Sequence, residues 1–193
     1  MNPTITVAMT GASGAGYGLR LVECLLRAGR DVAFLLTKPA HMVIATETTL
    51  KLPLRTEAIA ELLCTEFSAS PSQLRVYGQE QWNAPIASGS NVAAAMVVCP
   101  CTSSTLSAIA TGASNNLLER AADVMIKERR PLILVPRETP LSPIHLENML
   151  KLARIGVTIL PACPGFYHNP TTVTGVIDFV VARVLDHLAV EHN

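Results

Sequence analysis

Two turns in this sequence combine small residues with hydroxyl side chains, which is the composition of a site that binds an anion. The first, TGASGAGYG, spans 10–18 between an apolar run and an amphipathic segment, and the second, TSST, spans 102–105 after the apolar run AMVVCP. Free backbone N–H groups at a helix N-terminus, together with hydroxyl donors, favour a phosphate or the polar edge of a flavin-like ring. These turns therefore predict a mononucleotide-type site.

The glycines of the first turn match neither common nucleotide fingerprint. Gly14, Gly16 and Gly18 are each two apart, unlike G-x-G-x-x-G, and Tyr17 stands where a P-loop has its lysine. A structural alternative stays open, because Ser13 can cap the following helix. The second turn favours ligand binding more strongly, since four consecutive hydroxyls exceed what one helix cap requires.

A charged pair follows a third apolar run, PLILVP. Arg137 and Glu138 stand between Pro136 and Pro140, directly after that run. Arginine can contact a phosphate through two N–H groups, and glutamate can transfer a proton. A charged surface turn is the structural alternative, but the flanking prolines fix the backbone and favour a functional role.

Four further candidates have an ordinary structural explanation as well. Arg120 and Lys127 share one face of a predicted helix with Asp123, and such a face is usually solvated. It becomes a binding surface only if another subunit or loop covers it. Glu47 is likewise an exposed helix residue by default, and Tyr167 lies in a Pro/Gly loop after the last predicted strand.

The histidines and cysteines predict neither a metal site nor a disulfide framework. Five histidines are scattered without metal-ligand spacing, and five cysteines form no CxxC pair. An odd number of cysteines is typical of reduced thiols in a cytosolic protein. Cys101 could be a nucleophile, but no paired histidine is identifiable.

The bulk composition excludes several classes of function. The chain has 193 residues, of which 49% are hydrophobic and 4% aromatic, with 15 basic and 15 acidic side chains. A zero net charge argues against nucleic-acid binding. With no signal-peptide pattern and no apolar run of about 18 residues, we expect a cytoplasmic protein that does not enter a membrane. The high aliphatic content predicts a homo-oligomer.

Strand and helix patterns alternate along the whole chain. This alternation predicts a single α/β domain over residues 1–193, doubly wound and Rossmann-like, with a mainly parallel sheet. Ligands of such sheets bind beyond the carboxyl ends of the strands, so the loops described above should converge. The predicted strands are 5–9, 31–37, 74–78, 95–100, 131–136 and 157–162, and the predicted helices are 17–29, 38–50, 56–67, 102–112, 116–130, 142–156 and 173–190.

Longer strings carry a resemblance to a known family. The segment TGASGAGYGLRL, and then the segment from TGASNNLLERAADVMIKERRPLILVPRETP to ACPGFYHNP, closely resemble the UbiX-type flavin prenyltransferases. The likeness continues to IDFVVARVLDHL and so covers nearly the whole chain. The long central motif is highly specific, whereas the first turn alone would not be.

The resemblance implies an activity. Members of this family bind reduced FMN and dimethylallyl phosphate, some of them the diphosphate, and join the prenyl group to N5 and C6 of the flavin without a metal. The product serves a UbiD-type decarboxylase, as in ubiquinone biosynthesis. The family commonly forms dodecamers, so the resemblance also implies a homo-oligomer of that size.

The resemblance also assigns roles to individual positions. The FMN-binding set it implies is Gly11, Ala12, Ser13, Thr37, Thr102, Ser103, Ser104, Thr105 and Arg137. The prenyl-phosphate set it implies, assembled from several subunits, is Ser88, Gly89, Arg120, Lys127, Arg137, Glu138, Tyr167 and Arg183. The catalytic set it implies is Ser13, Glu47, Lys127 and Glu138, with Ser13 near flavin N5 and Glu138 relaying a proton toward the departing phosphate.

The sequence departs from the family at three places, and three rival functions stay open. Asn115 stands where many relatives have other small polar residues, the turn CTSST is richer in hydroxyls than its counterparts, and we expect the longer C-terminal lid of some relatives to be absent. A cysteine-decarboxylating flavoprotein would use a histidine in the region of His41, but the turn PCTSST does not match its PASANT-like loop. A non-catalytic flavin carrier would need the flavin turns but no second phosphate pocket. An NAD-dependent dehydrogenase is weakest, since it would need the missing glycine fingerprint.

Overall fold

The strands form one six-stranded sheet in which every pairing is parallel. The structure is a computed structural model, and it describes residues 4–192. The strand order is β3-β2-β1-β4-β5-β6, with the chain crossing over between β3 and β4. The strands are β1 Ile5–Met9, β2 Val32–Leu36, β3 Leu74–Gly78, β4 Ala95–Cys101, β5 Leu132–Pro136 and β6 Thr158–Ile159.

Helices cover both faces of this sheet. Helices α1, α2, α3 and α7 pack on one face and α4, α5 and α6 on the other. Their bounds are α1 Ala15–Arg27, α2 Lys38–Glu47, α3 Thr56–Glu66, α4 Ser103–Thr111, α5 Leu117–Lys127, α6 Pro143–Arg154 and α7 Val173–His187, with short 3-10 turns at Pro85–Ala87 and Gly89–Asn91. The prediction of a doubly wound α/β fold is confirmed.

The strand sequences explain the two cores. Successive side chains of a strand point to opposite faces, so a strand covered on both faces is apolar throughout. In β2, Phe34 packs toward α1 and α2, whereas Ala33 and Leu35 pack toward the other layer. All five residues of β2 are buried. The central strands are thereby held rigidly, and their carboxyl ends form a fixed platform for loops.

Several predicted element boundaries differ from the structure by up to three residues. Helix α1 ends at Arg27, two residues before Gly29, whose φ of +70° terminates the helical conformation. The predicted strand 157–162 is shorter in the structure, Thr158–Ile159. The amides of Leu160 and Ala162 still donate to β5, so the N–H that Pro161 lacks would face the free edge of the sheet.

Candidate functional site

The turns after β1 and β4 are fastened to each other at the carboxyl edge of the sheet. The buried Thr10 hydroxyl donates to the carbonyl of Pro100 at 2.7 Å and accepts from the amide of Thr102 at 2.9 Å. These two hydrogen bonds fix the start of α4 against the turn before α1. Thr10 was not among the predicted site residues; its only sequence signal is a polar residue at the end of a buried strand.

Glu47, at the end of α2, caps the N-terminus of α1. Its Oε2 accepts hydrogen bonds from the amides of Gly14 and Ala15, each at 2.8 Å, and the Ser13 side chain also bonds to its carboxylate. Burial alone would raise the pKa of Glu47, but these hydrogen bonds and the charge of Arg137 outweigh it and lower the pKa. Glu47 is therefore an ionised carboxylate bound to the turn, not a freely solvated side chain.

This arrangement excludes the structural alternative for Ser13. The residue at the N-cap position of α1 is Gly14, with φ of 109°, and no side chain of the turn itself caps the helix. Since the left-handed conformation suits glycine, the backbone turns there without strain. Ser13 lies exposed beside the cap, so its hydroxyl is located at the surface where a ligand would contact the turn.

The predicted charged pair closes the same site from the third loop. Arg137 donates from Nε to the carbonyl of Ser13 at 3.3 Å, and Glu138 accepts from the Ser103 hydroxyl at 2.6 Å. The bond from Ser103 and that from the Thr139 amide lower the pKa of Glu138. Both charged side chains are exposed. The loops after β1, β4 and β5 thus converge, as the topology predicts.

The hydroxyl-rich turn divides into capping and outward-facing residues. Thr102 is the N-cap of α4 and accepts from the Thr105 amide at 3.2 Å, and its hydroxyl also bonds to that of Thr105 at 3.0 Å. Ser104 is exposed. One hydroxyl therefore caps the helix, that of Ser103 donates to Glu138, and that of the exposed Ser104 lies 3.1 Å from the Thr102 hydroxyl oxygen.

Thr37 and Ala12 are more enclosed than the other predicted FMN-binding positions. Thr37 is buried and caps α2 by accepting from the Ala40 amide at 3.2 Å. Ala12 is buried within the turn, while Gly11 lies against Pro39 so closely that a Cβ there would collide with it. Gly11, Ala12 and Thr37 thus determine the shape of the turn, and the polar groups around the turn supply the hydrogen-bond donors for a ligand.

Four of the predicted phosphate residues form a second group, which we call the α5 cluster: Ser88, Gly89, Arg120 and Lys127. Arg120 donates from Nε to the carbonyl of Ala87 at 3.1 Å, and Lys127 lies against Gly89 together with Glu128. The segment 87–89 is therefore held against α5 at two points.

Within one chain, the α5 cluster is separate from the flavin turns. Helix α5 begins at the carboxyl edge, where the Leu117 amide donates to the carbonyl of Gln79 after β3, and its last residue, Lys127, precedes β5 at the amino edge. Arg120 lies in the first turn of α5 and Lys127 at its other end. Among the described residues, the hydrogen bonds and ion pairs of the α5 cluster do not reach the flavin turns.

Tyr167 and Arg183 belong to a third region, beside α7. Tyr167 is 82% exposed and lies edge-on to Phe179, with ring centroids 5.5 Å apart. Arg183 is exposed on α7 and donates to Asp186 at 2.6 Å. Neither residue contacts the flavin turns in the single chain.

Two other residues considered in the sequence analysis, His41 and Cys101, are partly and fully buried. His41 lines a groove of about 230 Å³ between α2 and the end of β3, and burial lowers its pKa. Cys101 is fully buried, and burial raises its pKa to about 12, so the thiol stays protonated. Within residues 4–192 no group of three potential metal-binding side chains is found, and no helix is long and apolar enough to cross a membrane.

Comparison with known proteins identifies the family. The sequence profile of the Flavoprotein family matches residues 1–185. The flavin prenyltransferase UbiX of Pseudomonas aeruginosa is 59% identical over 189 residues, which are 98% of this chain and 90% of that protein. The flavin prenyltransferase UbiX of Methanothermobacter thermautotrophicus is 46% identical over 98% of this chain and 92% of its own length. The chain belongs to the UbiX-type flavin prenyltransferases of the Flavoprotein family.

Solved structures of the family share its fold at full length. A dodecameric FMN-dependent UbiX-like decarboxylase from Escherichia coli O157:H7 superposes with a TM-score of 0.87 at 39% identity, covering 98% of this chain and 96% of that one. AnUbiX (PadA1), in complex with FMN and dimethylallyl pyrophosphate, gives 0.87 at 38% identity, covering 99% and 94%. The family resemblance and the Rossmann-like fold predicted from the sequence are confirmed.

Proposed function

We propose that this chain is a flavin prenyltransferase that joins a dimethylallyl group from dimethylallyl phosphate to N5 and C6 of reduced FMN. One observation carries the proposal: two sets of contacts, Glu47–Ser13–Arg137 and Glu138–Ser103, which start from adjacent residues of the third loop, join the three loops at the carboxyl edge of the sheet. The family and the FMN complex of a relative support the identity of the ligand. A UbiD-type decarboxylase is the proposed recipient of the product.

The donors at this edge fit a flavin mononucleotide. Ser103 and Ser104 offer hydroxyls at the start of α4, where the helix dipole favours a phosphate, and the small residues of the first turn leave room for a flat ring. Ser13 is exposed beside Glu47 and Arg137. We infer from these placements that Gly11, Ala12, Ser13, Thr37, Arg137 and the turn 102–105 bind FMN.

Reduced FMN supplies the nucleophilic nitrogen and carbon of the reaction. The bond between C1 of the prenyl group and the phosphate oxygen breaks, the phosphate leaves with the electron pair, and C1 bonds to N5, which loses a proton. The far alkene carbon then bonds to C6, and the C6 proton moves to the central prenyl carbon. The sum is reduced FMN plus dimethylallyl phosphate giving the prenylated flavin plus inorganic phosphate.

The charged residues of the chain have distinct roles in this scheme. Arg137, in the flavin site, stabilises charge on the departing phosphate, as do Arg120 and Lys127 contributed by another subunit. Glu138 is ionised and hydrogen-bonded to Ser103, so it is able to accept the proton released from N5 and pass it to the phosphate. Glu47 fixes Ser13, which we propose lies next to N5.

A homo-oligomer, proposed to be a dodecamer, completes the site. Among the described residues, no hydrogen bond joins the α5 cluster or Arg183 to the flavin turns, while α6 exposes Ile144, Leu146 and Leu150. Exposed apolar side chains on one helix are typical of a subunit interface. The dodecameric relative supports this assembly. We also propose that residues 1–193 act as one flavin-binding domain, since one sheet contains all six described strands.

The decisive experiment measures the mass of the released flavin. The protein is incubated anaerobically with reduced FMN and dimethylallyl phosphate, and separately with the diphosphate. A mass increase of one prenyl group supports the transferase, whereas unaltered FMN with both donors supports a flavin carrier and refutes the proposal.

Glu138 provides a sharper test of the mechanism. Glu138→Gln should still bind FMN, because its hydrogen bond to Ser103 persists, but prenyl transfer should slow by about 10²-fold or more, the usual contribution of a proton-transferring group. The measurement is the single-turnover rate with bound reduced FMN. An unchanged rate would remove Glu138 from the proton relay.

A further inference from the structure

Acidic side chains accompany the cations of the α5 cluster. Arg120 donates from Nη1 to Asp123 Oδ2 at 2.7 Å, with the two side chains 33% and 35% exposed. Lys127 forms an ion pair with Glu128, and both groups lie against Gly89. The four side chains together therefore carry no net charge. A surface intended only to attract phosphate would not need carboxylates bonded to both of its cations.

Each carboxylate is close enough to repel a bound anion. A phosphate held by Lys127 must lie beside the Glu128 carboxylate that the same ammonium contacts, and a phosphate held by Arg120 lies beside Asp123. Like charges about 4 Å apart in water-like surroundings disfavour each other by a factor of roughly five. A diphosphate ester carries about one more negative charge than a monophosphate ester, so it is penalised more.

We propose that Asp123 and Glu128 are specificity-determining residues that limit the negative charge of the phosphate group bound by Arg120 and Lys127. The proposal rests on the function given above and refines it, since it selects the monophosphate over the diphosphate donor. Neither carboxylate takes part in bond breaking; each acts through the cation that it contacts.

Anion binding to the assembled wild-type protein tests this inference without any prenyl transfer. Dissociation constants for inorganic phosphate and for inorganic pyrophosphate are measured by calorimetry at low ionic strength. Glu128→Gln should shift the affinity ratio toward pyrophosphate by roughly threefold to fivefold. Asp123→Asn should shift it in the same direction. Glu128→Asp, which keeps the charge, should retain the wild-type ratio.

The exposed Glu61 on α3 provides a matched control. Glu61→Gln makes the same change in net charge at a site outside both the α5 cluster and the proposed interface helix α6, so it should leave the ratio unchanged. If Glu128→Gln and Glu61→Gln give equal ratios, or if neither anion binds to any of these proteins, the inference is wrong. Prenyl transfer measured with both donors should show the same shift in the ratio of kcat/KM.

Failure of this inference is distinguishable from failure of the proposed function. Wild-type protein that prenylates FMN, combined with an unchanged anion ratio in Glu128→Gln, overturns the inference alone. Unaltered FMN in the wild type overturns the proposed function, whatever the anion ratio shows.

Discussion

Replacing Glu47 by glutamine separates a helix-capping role from a proton-transfer role at the flavin turn. In the structure the Glu47 carboxylate reaches from the end of α2 to the amides of Gly14, the N-cap residue, and Ala15, the first residue of α1. The substitution keeps an oxygen acceptor of the same length but removes the charge. We expect α1 to remain helical, but the interaction between residue 47 and Ser13 should weaken.

The size of the effect follows from the contacts. A negative charge at a helix N-terminus contributes about 0.3–1 kcal/mol when exposed, and loss of a capping acceptor altogether costs about 0.5–2 kcal/mol. Glu47→Gln should therefore lower the stability by about 0.3–1 kcal/mol and Glu47→Ala by about 1–2 kcal/mol. For a chain of this size, 1 kcal/mol corresponds to about 2–4 °C in Tm.

The pH dependence of the stability provides an independent test of the capping role of Glu47. The pKa of Glu47 is lowered in the folded state from an ordinary value of 4.5. The stabilisation is therefore fully present above about pH 4.5 and is lost as the pH falls through the folded pKa. The difference in Tm between wild type and Glu47→Gln should be largest near pH 7 and should shrink as the pH falls below about 4.5.

The assay is thermal unfolding at one fixed protein concentration, because assembly makes Tm depend on concentration. Glu61→Gln, on the exposed face of α3, is the control for loss of one negative charge. Equal Tm values for wild type and Glu47→Gln at every pH, with prenyl transfer lost, would refute the capping argument. That outcome would make Glu47 a proton-transfer residue.

Three other substitutions or reactions test the packing around the site. Thr102→Ala should lower the stability by about 1 kcal/mol through loss of the α4 cap, measured as the urea midpoint, while Thr102→Ser should keep it. Gly18→Ala should cost about 1–3 kcal/mol in the same assay, because the new Cβ would collide with the backbone carbonyl oxygen of Cys99 and lie 2.7 Å from Met9 Sδ. Gly175→Ala, with its nearest atom at 3.4 Å, is the tolerated control, and equal midpoints would contradict the argument. Buried Cys101, whose pKa is raised to about 12, should react with a thiol reagent only after unfolding, as followed by mass spectrometry, and rapid native labelling would disprove its burial.

The sequence predicted the loops of the site better than it predicted the contacts between them. Apolar runs ending in TGASG, CTSST and PRE could be assigned to parallel strands, and parallel topology brings their ends to one edge. Glu47 could not be placed in this way, because a carboxylate at the end of a helix is usually solvated. Only the packing of α2 against α1 shows that it caps the neighbouring helix.

The contacts of the α5 cluster could not be predicted from the sequence either. Helical spacing placed Arg120, Asp123 and Lys127 on one face, but it gave no reason to join them to 87–89, which is about 30 residues earlier in the chain. That contact depends on how the irregular segment before β4 folds back onto α5. Glu128 was missed, since it follows Lys127 directly and adjacent helix residues do not share a face.

By itself, the sequence determined the alternation of strands and helices, the two-sided burial of the sheet and the family to which the chain belongs. These properties are local or compositional, since side-chain periodicity and short motifs encode them residue by residue. Only the tertiary structure decided that Glu47 rather than Ser13 caps α1, and that the segment 87–89 lies against α5. Those facts depend on contacts between residues far apart in sequence, which no local pattern records.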